Sequence, residues 1–118
     1  MTTATDLQPC PILIDGEWST PQTAETSKVY NPSTGEVIAE VPMCGEDIVD
    51  AAVESCARAY EDWWQTPPVE RVRVMFRYKM LLEEQFEELA QSITREHGKT
   101  LTEARGDVRR GIEVVEYA

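Results

Sequence analysis

The sequence has very little with which to build a reactive centre. Its 118 residues hold one histidine, His97, and three cysteines, Cys10, Cys44 and Cys56. An odd number of cysteines, with no CxxC pair and no framework spacing, excludes a disulfide-stapled scaffold and points to a reducing, cytoplasmic setting. One histidine and scattered cysteines also fall short of the converging donors that a metal site needs, so no metal ligand is assigned. Basic residues are scarce, 11 against 22 acidic ones, for a formal net charge of −11. So acidic a chain repels phosphate backbones and anionic headgroups, which argues against nucleic acid and membrane surfaces as partners. The acidity serves solubility. No apolar run approaches the roughly 20 residues that cross a bilayer. Met1 to Pro9 lacks the basic and apolar regions of a secretory signal.

Glycine-rich phosphate cradles are missing too. There is no GxGxxG. Gly98-Lys99-Thr100 ends like a GxxxxGK[ST] loop, but Ile93 stands where its first glycine would be, and the tripeptide joins two helical patterns.

What remains is a globular composition, 42% hydrophobic and 28% charged, at a length suited to one domain. Residues 1–10 read as a polar leader and 11–118 as the folded part. Ile12-Leu13-Ile14 and Glu17-Trp18 flank Asp15-Gly16, a dipeptide that accepts the positive φ angles of a type I′ hairpin turn. Ser19 to Ser27 reads as a loop. A second hairpin pairs Lys28-Val29-Tyr30 with Val37 to Val41 across the turn residues Asn31 to Glu36. Val37, Ala39 and Val41 share one face at period two, which predicts a half-buried strand ended by Pro42.

From Gly45 the period becomes helical. Ile48, Ala52, Cys56, Ala59, Tyr60 and Trp63 form one stripe. Thr66-Pro67-Pro68 ends that helix and starts a second, with Thr66 as N-cap and Pro67 in the first turn. The second helix is long, with a stripe through Met75, Tyr78, Leu82, Phe86, Leu89 and Ile93 and a stop at Gly98. His97 then reads as a C-terminal residue favoured by the helix dipole. Cys56 reads as a small hydrophobe. Thr100-Leu101-Thr102-Glu103 is a capping box that opens a third helix running through Ala118.

The third helix is where chemistry is expected. Leu101, Ala104, Val108, Ile112 and Val115 form its apolar stripe, and Arg110 projects about half a turn from the centre of that stripe. Gly106 and Gly111 cost about 1 kcal/mol each against alanine, so they predict a surface packed close to this helix. Arg110 in such a site could clamp a carboxylate through two parallel hydrogen bonds, or it could simply pair with Asp107 or Glu113 on its own helix.

Letters and order together resemble a known family. Leu13 to Trp18, Tyr30-Asn31-Pro32-Ser33-Thr34-Gly35-Glu36 through Pro42, and Glu96-His97-Gly98-Lys99 look like the opening of an aldehyde dehydrogenase. Gly106-Asp107-Val108-Arg109-Arg110-Gly111 through Val115-Glu116 resembles the methylmalonate-semialdehyde dehydrogenase branch, in which the arginine matching Arg110 helps to hold the substrate carboxylate.

The resemblance implies an α+β fragment, two β-hairpins then three α-helices, from the outer part of the nucleotide-binding domain of an α/β aldehyde dehydrogenase fold. It implies a parent oxidoreductase of valine catabolism that uses NAD and coenzyme A, acts on malonate or methylmalonate semialdehyde, and assembles as a homo-oligomer. The family's nucleophilic cysteine, oxyanion-hole asparagine and dinucleotide-binding residues find no match here. The 118 residues are therefore expected to be inactive alone, with no catalytic residue and with Arg110 as the substrate-binding candidate. Two alternatives stay open: another aldehyde dehydrogenase, such as a succinate-semialdehyde type, or a standalone acidic helical interaction module.

Overall fold

The computed structural model describes residue 7 and residues 9–118; most of the expected polar leader, residues 1–6 and 8, lies outside the described residues. Two compact units emerge. The first takes in the chain up to Asn31 and Gly35–Asp62, and the second comprises Pro32–Thr34 and Trp63–Ala118.

The first unit begins with an antiparallel hairpin of β1 (Ile12–Ile14) and β2 (Glu17–Ser19), in register Ile12 to Ser19 and Ile14 to Glu17. Its turn is built as the Asp-Gly pair demands: Asp15 has φ 55° and Gly16 φ 78°. Strands β3 (Thr26–Tyr30) and β4 (Val37–Pro42) form the second hairpin, which begins two residues earlier than the sequence suggests. Pro9 and Cys10, the end of the expected leader, lie alongside it: Pro9 bridges to Glu40, and Cys10 N donates to Glu40 O at 2.7 Å.

The alternation expected along β4 is not kept. Val41 is exposed, and Pro42, expected to end the strand, is its buried last residue. The cause is a bulge. Val29 pairs with Ala39 but Tyr30 pairs with Val37, so Ile38 is an extra residue that shifts the phase of the strand.

Helix α1 (Glu46–Gln65) carries the expected amphipathic stripe but buries none of it. Ile48 and Ala52 are half-buried, while Cys56, Ala59, Tyr60 and Trp63 are less covered, with Tyr60 and Trp63 plainly exposed.

The second unit holds one helix more than expected, because the long helix read from Pro67 to His97 is two: α2 (Pro68–Glu84) and α3 (Phe86–His97). Gln85 between them sits at φ −98°, ψ 13°, off the helical well. The break keeps its ladder, since Gln85 N donates to Leu81 O and Leu89 N to Gln85 O, both at 3.0 Å. A straight continuation would stack Glu83 on Glu87 and Glu84 on Glu88, two like-charge pairs at i,i+4. The start of α2 also moves by one residue. Pro68 bars its predecessor from helical geometry, so Pro67, at ψ 142°, is the N-cap in place of Thr66.

Helix α3 stops where expected, at Gly98 with φ 79°, whose N–H reaches Thr94 O at 2.9 Å. A side chain at Gly98 would lie 2.8 Å from the Pro32 ring. Helix α4 (Leu101–Tyr117) then opens on the predicted box: Thr100 Oγ1 accepts from Glu103 N at 3.3 Å, and Glu103 Oε2 accepts from Thr100 N at 3.1 Å. The core of the unit is Ala90, Ala104, Val108 and Ile112, with Leu82, Phe86, Leu89, Ile93 and Leu101 packed on it. The α4 stripe read from the sequence is therefore the face that is buried. Ile112, fully buried, contributes about 1.5–3 kcal/mol by its transfer from water.

Candidate functional site

The core stripe of α4 fixes where its other side chains go. With Ala104, Val108 and Ile112 turned inward, Arg110 is carried to the opposite side, where 72% of its side chain is exposed. Val114 and Tyr117 are exposed with it. Gly106 and Gly111 meet nothing within 4 Å of an added Cβ, so among the described residues none supplies the surface expected to press on them. Arg109, the adjacent arginine, serves the packing instead. Its guanidinium lies over the Phe86 ring, 5.1 Å from the centroid, fastening α4 to α3.

Arg110 Nη2 donates to Asp107 Oδ1, one turn earlier. Asp107 is only 24% exposed and is shared: Lys99 Nζ donates to its Oδ2 at 2.5 Å. The Lys99 hydrogen bond, followed by that from Arg110, holds the Asp107 carboxyl below the usual aspartate range, against the opposing effect of partial burial. The pairing of Arg110 with Asp107 is the alternative that helical spacing allowed. Lys99 is the member that sequence reasoning missed. It stands eight residues before Asp107, across the junction of α3 and α4, where no local pairing rule applies.

The remaining candidates do not join this cluster. His97 is exposed at the end of α3. The three cysteines are free thiols, with Cys56 exposed and Cys10 and Cys44 half-buried. Among the described residues no group of histidine, cysteine or acidic side chains could hold a metal ion. Gly98-Lys99-Thr100 is a helix stop, an ion-pair donor and an N-cap, and these residues do not form a cradle for a dinucleotide. What the arrangement offers is a guanidinium bonded through one nitrogen and otherwise open to solvent, a group able to pair with a carboxylate.

The profile of the aldehyde dehydrogenase family matches residues 18–118. The chain belongs to the aldehyde dehydrogenase family. Among curated aldehyde dehydrogenases, malonate-semialdehyde dehydrogenase 2 of Shouchella clausii (strain KSM-K16) is 54% identical over 105 residues, covering 89% of this chain and 22% of that protein. Among solved structures, methylmalonate-semialdehyde dehydrogenase from Oceanimonas doudoroffii superposes with a TM-score of 0.84 at 40% identity, covering 89% of this chain and 21% of that one. An NAD-dependent benzaldehyde dehydrogenase from Corynebacterium glutamicum gives a TM-score of 0.86 at 30% identity over 98% of this chain and 25% of its own. The chain thus spans about a quarter or less of the length of these aldehyde dehydrogenases, and its α+β arrangement is a portion of their fold.

Proposed function

We propose that the chain is the N-terminal portion of an NAD-dependent, coenzyme A-acylating (methyl)malonate-semialdehyde dehydrogenase, and that Arg110 binds the substrate carboxylate. The observation that carries the reading is the Arg110 guanidinium itself, 72% exposed and engaged by Asp107 through one nitrogen. Five N–H donors in a planar fork match a carboxylate in two parallel bonds, a geometry that lysine cannot offer. The similarity to malonate- and methylmalonate-semialdehyde dehydrogenases supports a substrate that brings such a group.

In the whole enzyme NAD would accept hydride and coenzyme A the acyl group, both held by residues outside this chain. The chain's own contribution is selection. Holding the carboxylate places the aldehyde carbon, and a neutral aldehyde leaves the guanidinium without its partner. By itself the chain is expected to be inactive, since its described residues bring together neither an activated nucleophile nor an oxyanion donor set. The resemblance further supports a cytoplasmic homo-oligomer as the parent, and no helix among the described residues is long and apolar enough to cross a membrane.

The test is Arg110→Ala in the full-length enzyme. We expect kcat/KM for malonate semialdehyde to fall by about a hundredfold or more relative to propanal, the scale of a lost bidentate charge-assisted pair. Equal losses on both aldehydes would overturn the carboxylate assignment.

A further inference from the structure

A carboxylate that takes an arginine through two parallel N–H bonds, as Glu87 takes Arg105, uses up the fork that a ligand carboxylate would need. That does not happen at Asp107. Lys99 Nζ holds Oδ2 at 2.5 Å, and only Oδ1 remains for Arg110 Nη2. Nη2 carries one hydrogen on each edge of the guanidinium, so its second hydrogen, together with the neighbouring donor on that edge, is left as a fork for a second carboxylate. Exposure follows the same division: Asp107 and Lys99 are recessed at 24% and 33%, while Arg110 stands out at 72%.

Lys99 is also launched from a fixed point. On one side Gly98 closes α3 in the left-handed conformation, and on the other Thr100 is tied into its capping box with Glu103. Both neighbours of Lys99 are therefore set by the ends of two helices, and its ammonium reaches Asp107 two turns into α4.

We propose that Lys99 and Asp107 are positioning residues of the Arg110 carboxylate site: Lys99 keeps Asp107 on one edge of the guanidinium, and Asp107 turns the other edge toward the substrate carboxylate. The inference rests on the reading of Arg110 as the carboxylate receptor. It makes specificity for carboxylate-bearing aldehydes depend on the junction between α3 and α4 as well as on Arg110. Without Lys99, Asp107 closes on Arg110 through both oxygens and competes with the substrate.

The experiment uses the full-length enzyme with Lys99→Met and Lys99→Arg, each with and without Arg110→Ala. The readout is the ratio of kcat/KM for malonate semialdehyde to that for propanal. Lys99→Met should lower the ratio on the order of tenfold, through KM for malonate semialdehyde, the effect of one weakened charge-assisted hydrogen bond. Lys99→Arg should restore most of it, and Lys99→Met should add nothing once Arg110 is alanine. Asp107→Asn, which keeps the shape and removes the charge, guards against a lysine variant that does not fold, and it too should lower the ratio. If Arg110→Ala leaves the ratio unchanged, the receptor reading fails and this proposal falls with it. If Arg110→Ala collapses the ratio while Lys99→Met and Asp107→Asn leave it at the wild-type value, the positioning role alone is overturned.

Discussion

Helices α1 and α4 are built to similar plans, 20 and 17 residues long with an apolar stripe at helical spacing, yet their surroundings differ. On α4 the stripe is the heart of a core, with Ala104, Val108 and Ile112 buried against α3. On α1 nothing is buried, and Tyr60 and Trp63 stand 62% and 45% exposed. The contrast teaches that periodicity records a helix's requirement for a partner and not whether that partner lies in the same stretch of chain. Helix α4 finds its partner within its own unit, while the described residues leave Tyr60 and Trp63 of α1 uncovered.

Truncating each stripe is the strongest way to break that contrast. In denaturant unfolding of this chain, Ile112→Ala should cost about 2–5 kcal/mol, the range for a buried aliphatic side chain that leaves a cavity. Tyr60→Ala should cost less than about 1 kcal/mol, as surface changes do. In the full-length enzyme the Tyr60 variant should become several-fold more costly, the outcome expected of a stripe covered by residues outside this chain. Equal losses at both sites in the short chain would remove the distinction.

A smaller effect tests the ends of the helices. Thr100→Ala removes the side-chain half of the capping box and should cost about 1 kcal/mol, read as faster amide exchange in the first turn of α4. Helix α2, whose N-cap Pro67 makes no side-chain bond, offers no equivalent position to remove.

The smallest effect is acid loosening of the α3–α4 pair. Three carboxylates are held low there: Glu87 by its Arg105 hydrogen bond, Glu103 by Thr100, and Asp107 by Lys99 and then Arg110. A carboxyl held low in the fold stabilises it above the ordinary carboxylate range, and that contribution disappears as pH falls through the depressed value. Helix signal from the α3–α4 pair should therefore weaken below that range, and Asp107→Asn should flatten part of the slope. An unchanged slope in Asp107→Asn would show that the ion pair does not couple to folding.

Features set by near neighbours along the chain are legible in its letters. Asp15-Gly16 announces its turn, Gly98 its stop, and Thr100 with Glu103 its box, because each depends on residues within four positions. The α4 stripe is legible for the same reason. What the letters do not carry is anything decided by competition or by distance. Gln85 bears no glycine or proline to mark the break between α2 and α3, and Ile38 looks like any strand residue until its pairing with β3 shows it to be extra. The restriction that Pro68 places on Pro67 is a local rule, and it moves the helix start by one residue. At the candidate site Arg110 and its helical neighbour Asp107 are visible in the sequence, while Lys99 is hidden by the turn that brings it back.

The meeting of Gly98 with Pro32 has a historical side. A Cβ at position 98 would fall 2.8 Å from the proline ring, and φ 79° already disfavours any side chain there. A substitution at position 98 therefore requires the proline ring to give way as well as a strained backbone. Position 32, in a loop turn, is the freer of the two. In a lineage, asparagine at 98, which tolerates the left-handed conformation, is accepted more easily once the proline at 32 has been lost, so the history of one position conditions the other.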